Sequence, residues 1–262
     1  MSAEAGSNGI AEIIKALSEL LSALVWPAIV GIILFRFRKE VGACLSGLAK
    51  RLPEAQNVKL GPVEIAMQTA ESVAKLVPAN PRPQDQQQAI QEQTHIGKVL
   101  QAQVAQNPGM LPEVRRQMDE LARQYELLRS ARDKTSRMAT AQEIVQMNKV
   151  VSQMRALAIP CLPYWDDYAK SDRTGDRLVA VVMVQMSPDP KHLPWLLERF
   201  RFDRPFIFYH AALALQNMAD QCWDVAGEQI KITAKAALDQ VSSFAGEPDA
   251  KTVQILQTIV NR

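Results

Sequence analysis

Hydrophobic positions are unevenly spread along this chain. One unbroken apolar run near the N-terminus gives way to a series of spaced, helix-like stripes. Leu20 to Phe35, LLSALVWPAIVGIILF, holds sixteen uncharged and almost wholly apolar residues and stops against Arg36, Arg38 and Lys39. A spanning helix needs roughly 20 mainly apolar residues. Adding Ala16, Leu17 and Ser18 reaches that length at the cost of Glu19, which falls near a helix end, where an ionisable group costs far less than at the bilayer centre. Trp26 and Pro27 lie close to the middle, so Trp26 is no interfacial anchor, and Pro27 marks a kink of the kind membrane helices tolerate. The pattern predicts a lipid-embedded helix over residues 16–36. Arg36, Arg38, Lys39, Lys50 and Arg51 follow the run and only Lys15 precedes it, so the positive-inside rule leaves a short extracytoplasmic tail, residues 1–15, and a cytoplasmic remainder.

Other fates for the run fit less well. A cleaved signal peptide carries its basic residues before the apolar stretch, and here they follow it. Val41-Gly42-Ala43-Cys44 resembles a lipobox, but RFRKE intervenes where apolar residues belong. A helix lying on the membrane is suggested by the stripe Ile10, Ile13, Ile14, Leu17, Leu20, Leu21, Leu24, yet residues 24 to 35 are apolar on every face. A buried helix of a soluble core is the plain alternative.

Beyond the run, residues 37–77 read as a juxtamembrane segment. Within it Val58-Lys59-Leu60 and Val63-Glu64-Ile65 alternate around Gly61-Pro62, predicting a small β-hairpin near 58–65, after which Ile65 to Leu76 reads as a short helix. Residues 78–93, PANPRPQDQQQAIQEQ, are rich in proline and then glutamine and predict a linker. Residues 94–262 predict a cytoplasmic α-helical domain, which opens on a short helical segment from Ile96 to Gln106 closed by Asn107-Pro108-Gly109. From Pro112 to Ile159 there is no glycine and no internal proline. Val114, Met118, Leu121, Tyr125 and Leu128 step by 4 and 3, and Ile144, Met147, Val151, Met154 and Ala158 resume that spacing after the polar RSARDKTS. These two seams, 114–128 and 144–158, can pair with each other or with a second copy of the chain. Residues 160 to 176 read as a loop, RLVAVVMVQM and HLPWLLERF as helices, and FIFYHAALALQNMADQCW as another. Two more helices are expected near 226–244 and 248–260.

Composition agrees with a mainly α fold. Alanine, leucine, glutamine and methionine are abundant, and glycine is sparse at 11 residues in 262. A net charge of +2 is too balanced for a dedicated nucleic-acid binder. Cys44, Cys161 and Cys222 are odd in number and far apart, which suits a reducing compartment and no disulfide framework.

The region Arg177 to Cys222 resembles HEAT-like helical repeats: paired helices, a proline-marked turn, and the small-residue stretch Ala211-Ala212-Leu213-Ala214-Leu215. The resemblance covers about one and a half repeats and implies a protein-binding scaffold. The layout of tail, span, linker and cytosolic module is similar to that of single-pass effectors and sensors of bacterial defence systems.

Candidate chemistry is thin. Arg204 and His210, with five residues between them, are similar to the R-x4-6-H motif of HEPN ribonucleases, which implies Arg204 on a scissile phosphate and His210 transferring a proton. Pro205 stands where that family places a polar residue, and as a plain reading it starts a helix whose core takes His210. In Glu198-Arg-Phe-Arg-Phe-Asp-Arg204, Arg199, Arg201 and Arg204 could grip phosphates while Phe200 and Phe202 stack on bases. The plainer reading makes both phenylalanines core and pairs the arginines with Glu198 and Asp203. Asp166, Asp167, Asp172 and Asp176 lack calcium-loop spacing and read as turn formers. With no Walker A, GxGxxG, GxSxG or HExxH, no cofactor or metal is expected. Trp165, Tyr168, Trp195, Phe202 and Tyr209 are the expected partner contacts, being amphipathic aromatics near loops. The expectation is a membrane-anchored cytoplasmic helical interaction module. Its rivals are the tethered ribonuclease and a membrane-disrupting effector that oligomerises through its span.

Overall fold

A computed structural model describes residues 61–76, 83–133, 141–244 and 249–262. The chain divides into two units, Met1–Lys59 and Leu60–Arg262, and the described residues all belong to the second. The predicted tail, span and first hairpin strand lie outside the described residues, as do Leu20, Trp26, Pro27, Phe35, Arg36, Arg38 and Lys39. Among the described residues no helix is long and apolar enough to cross a membrane.

The second unit is mainly α, and no strand occurs among its described residues. Its helices are α1 (Pro62–Leu76), α2 (Pro83–Gln106), α3 (Leu111–Asp133), α4 (Ala141–Cys161), α5 (Trp165–Ala169), α6 (Thr174–Met186), α7 (Leu193–Phe202), α8 (Pro205–Ser242) and α9 (Ala250–Val260). The hairpin expected at 58–65 gives way to α1. Pro62 takes the first helical position, where its missing N–H costs nothing, and Ile65 N–H donates to Gly61 O at 3.1 Å. Val63, Ala66 and Ala70, spaced by 3 and 4, are the face that is buried. Three alternating residues were too few to outweigh that longer period. The linker expected at 78–93 is likewise helical from Pro83 onward. Glutamine is a good helix former, and Ala89, Ile90, Gln93 and Leu100 give α2 a buried face.

α4 and α6 occupy the middle of the unit. α1, α2 and α3 pack on α4, while α3, α5 and α8 pack on α6, and α7 and α9 flank α8. Every residue of α6 from Leu178 to Met186 is buried, as a helix apolar all round requires. Close approach is built in at Gly175, where an added Cβ would stand 2.3 Å from the carbonyl oxygen of Ala122 on α3. The seam residues Val114, Met118, Leu121 and Tyr125 of α3, and Met147, Val151, Met154 and Ala158 of α4, are buried inside the unit, and Ile144 is exposed. The two helices expected on either side of residue 226 meet at Ala226, whose backbone is non-helical (φ −138°, ψ 18°), so α8 consists of two helical stretches joined across a kink. The expected loop 160–176 carries the short α5, entered through a turn of 3₁₀ helix at Leu162–Tyr164.

Candidate functional site

An open groove of about 450 Å³ runs beside α5, walled by Pro163, Trp165 and His192, with Asp166, Ser187, Asp189 and Lys191 around it. Pro160 and Pro163 bring α4 to its end here, and α5 starts at Trp165. The Trp165 indole N–H donates to Ala180 O on α6 at 3.3 Å. Its ring lies against His192, centroids 3.9 Å apart, and meets the edge of Trp195 at 5.2 Å. Trp195 in turn donates to Ala169 O at 3.1 Å and carries the Arg199 guanidinium over its face at 4.6 Å. The result is a continuous cluster, Arg199–Trp195–Trp165–His192, in which the two indoles meet edge to face and are each fixed by a backbone hydrogen bond. Such rigid amphipathic rings offer contact area at low entropic cost. Burial and the Lys191 ammonium lower the His192 pKa, partly opposed by Asp189 and Asp166. Asp189 accepts from the Lys191 backbone N–H at 3.0 Å and pairs with its ammonium at 2.7 Å, which holds its carboxyl below the usual range.

The other expected contact residues are dispersed. Tyr168 is buried, its hydroxyl donating to Asp119 at 2.6 Å, and burial with that hydrogen bond raises its pKa. Tyr209 is half-buried, and burial raises its pKa while the nearby Arg155 charge opposes the rise. Phe202 is 69% exposed, with the Arg201 guanidinium 5.7 Å from its ring centroid. Phe200 is core, so the arginine–phenylalanine alternation splits its two rings between core and surface. Asp203 is buried and accepts from Arg177 at 2.7 Å and Arg199 at 2.9 Å, an ion cluster that ties α6 to the α7–α8 corner.

Arg204 and His210 do not share a cleft. Pro205 starts α8, Arg204 is exposed, and His210 is 2% exposed. Its ring packs edge-on against Phe206 and Tyr209. Burial, reinforced by the Arg155 charge, pushes its pKa well below the ordinary value, so the ring is neutral and sealed from any substrate. Three of the four aspartates have their carboxylates paired with other side chains. Asp166 pairs with Lys170, Asp167 with Arg115, and Asp176 with Ser171 and Arg173, while Asp172 offers its carbonyl to Arg177. No group of three metal-ligating side chains occurs among the described residues.

Sequence reasoning missed a polar seam through the core. Gln93 on α2 donates to Ser152 at 2.6 Å and Ala70 O at 3.2 Å, and Ser152 donates to the same carbonyl at 2.6 Å. Arg155, 5% exposed, donates to Gln93 Oε1 and Gln185 Oε1, both at 3.1 Å. Gln185 donates to His210 O at 2.6 Å and its carbonyl accepts from Asn217 at 2.7 Å. Gln87 on α2 closes the chain by donating to Asn217 and to Asp220. Burial lowers the Arg155 pKa to about 10, which leaves it charged at neutral pH. The signal was present as polar residues on apolar faces: Arg155 between Met154 and Ala156-Leu157-Ala158, and Gln185 inside RLVAVVMVQM.

No protein-family model, curated protein or solved structure matches the chain.

Proposed function

We propose that the chain is a single-pass protein of the inner (cytoplasmic) membrane, N-terminus out, whose cytoplasmic helical unit binds another protein through the groove beside Trp165. The observation that carries the reading is that Leu60–Arg262 has a continuous hydrophobic core of its own. The length of the apolar run at 16–36 and the charges that flank it fit a span. The groove favours binding over catalysis. Its aromatic wall is rigid and reachable, while His210, the base a ribonuclease would use, is sealed in the core.

Two results on the full chain in membranes test this. Protease added to intact cells should leave residues 37–262 protected. A photocrosslinking residue in place of Ser187, beside the groove, should give a discrete protein adduct that an equivalent probe at exposed Lys235 of α8 does not. The adduct should fade in the double charge reversal Asp166→Lys, Lys191→Glu. Equal labelling at both probe positions would remove the groove from the account.

A further inference from the structure

α1 and α2 form a helical hairpin that meets the rest of the unit mainly through α4. The face it buries is mixed: Ala66 and Ala70 from α1 and Ala89, Gln93 and Gly97 from α2 are small or polar, Val63, Ile90 and Leu100 are larger and apolar, and Met67, Ile96 and Val104 pack on the core at its margin. At its centre lies Arg155, whose hydrogen-bond acceptors are two neutral amide oxygens, one of them on the hairpin. No carboxylate among the described residues pairs with this buried cation. A buried charge without a counter-ion is costly, and its cost is relieved when water reaches it. Past the hairpin, Asn107, Pro108 and Gly109 form an exposed turn, and in the last turns of α2, from Gln101 to Gln106, only Val104 is even half-buried.

We infer that the α1–α2 hairpin is a hinged cover over Arg155, opening as a unit about Asn107–Met110 while α4, α6 and α8 keep their packing. Three features favour opening. Water replaces the amide hydrogen bonds of Gln87 and Gln93, so their loss is largely recovered. Arg155 regains its hydration. Alanine and glycine make up half of the hairpin's buried positions, which lowers the apolar area given up there, against the cost of exposing Val63, Ile90 and Leu100. Opposing it, Glu71 pairs with Lys149 of α4 at 3.2 Å, and Lys149 is half-exposed, which makes that tie a weak one. Opening would present Arg155, Ser152, Gln185 and Asn217 as one polar strip, leaving the Trp165 groove untouched. The inference does not depend on the membrane reading.

Hydrogen exchange of the full chain in detergent micelles tests it. The amides of α1 and of α2 from Gln88 to Gln101 should exchange together, about 100-fold or more faster than those of Ala180–Met186 and Ala211–Ala219. Gln93→Met removes the hairpin's acceptor for Arg155 and should speed hairpin exchange about ten-fold. Gln93→Met combined with Arg155→Met removes the buried charge as well and should slow hairpin exchange below that of the unaltered chain. That reversal between single and double variants is specific to a cover over a charge. A common exchange rate for hairpin and central helices in the unaltered chain would overturn the inference whatever the variants do. A double variant that opens faster than the single would overturn it too.

Discussion

α6 and α2 both pack along α4, and they are held there by different physics. α6 buries nine consecutive residues, Leu178–Met186, with Gln185 the single polar one, and approaches α3 backbone to side-chainless backbone at Gly175. α2 buries few large side chains and relies on Gln87 and Gln93 for its specific contacts. A helix held by apolar packing forfeits its stabilisation when it separates, whereas one held by amides regains most of it from water. Position in the fold thus says less about local stability than the chemistry of the shared face.

The largest effect should come from the packed region. Leu178→Ala removes a fully buried side chain of α6 and should cost about 4 kcal/mol, read as a drop in denaturation midpoint. Asp203→Asn leaves Arg199 and Arg177 facing a neutral amide at the α7–α8 corner and should cost about 3 kcal/mol in the same assay. Acid should act through His210. The folded state keeps the ring neutral, while the unfolded chain takes a proton below about pH 6.5, so stability present above that value is lost as pH falls. The loss approaches about 1.4 kcal/mol per pH unit, and His210→Gln should flatten the slope of stability between pH 7 and 5. His192 is lowered too and leaves a residual slope. The smallest effect should be Leu100→Ala in α2. It removes a side chain as buried as Leu178, yet should shift the main melting transition by less than about 1 kcal/mol, because the hairpin separates before that transition. Equal costs at Leu100 and Leu178 would erase the distinction between the two regions.

The regions also differ in how far their sequences could be read. α3, α4 and α6 were legible because their apolar residues recur at helical spacing and are buried for that reason. α1 and α2 were legible only in part: Ile65–Leu76 and Ile96–Gln106 read as helix, while the first residues of each helix were misread as hairpin and linker. Gln93 looks like linker composition until its partners Ser152 and Arg155 are known, and those lie 59 and 62 residues away in sequence. Long-range amide pairing leaves no local period to detect. The groove was half legible. Trp165 was singled out as a loop-adjacent aromatic, with Trp195 packed edge-on against it, whereas His192, Asp189 and Lys191 reach the groove only because the turn before α7 brings His192 against the Trp165 ring. Phe200 and Phe202, alike in sequence, part company because α7 ends between core and solvent.

The central claim is that a self-sufficient helical unit is tethered through residues 16–36, and alkaline carbonate extraction of membranes tests it most directly. The full chain should stay in the membrane pellet, and a chain lacking residues 16–36 should be released with the helical content and melting midpoint of the unit unchanged. Release of the full chain by carbonate, or unfolding of the shortened one, would contradict the account.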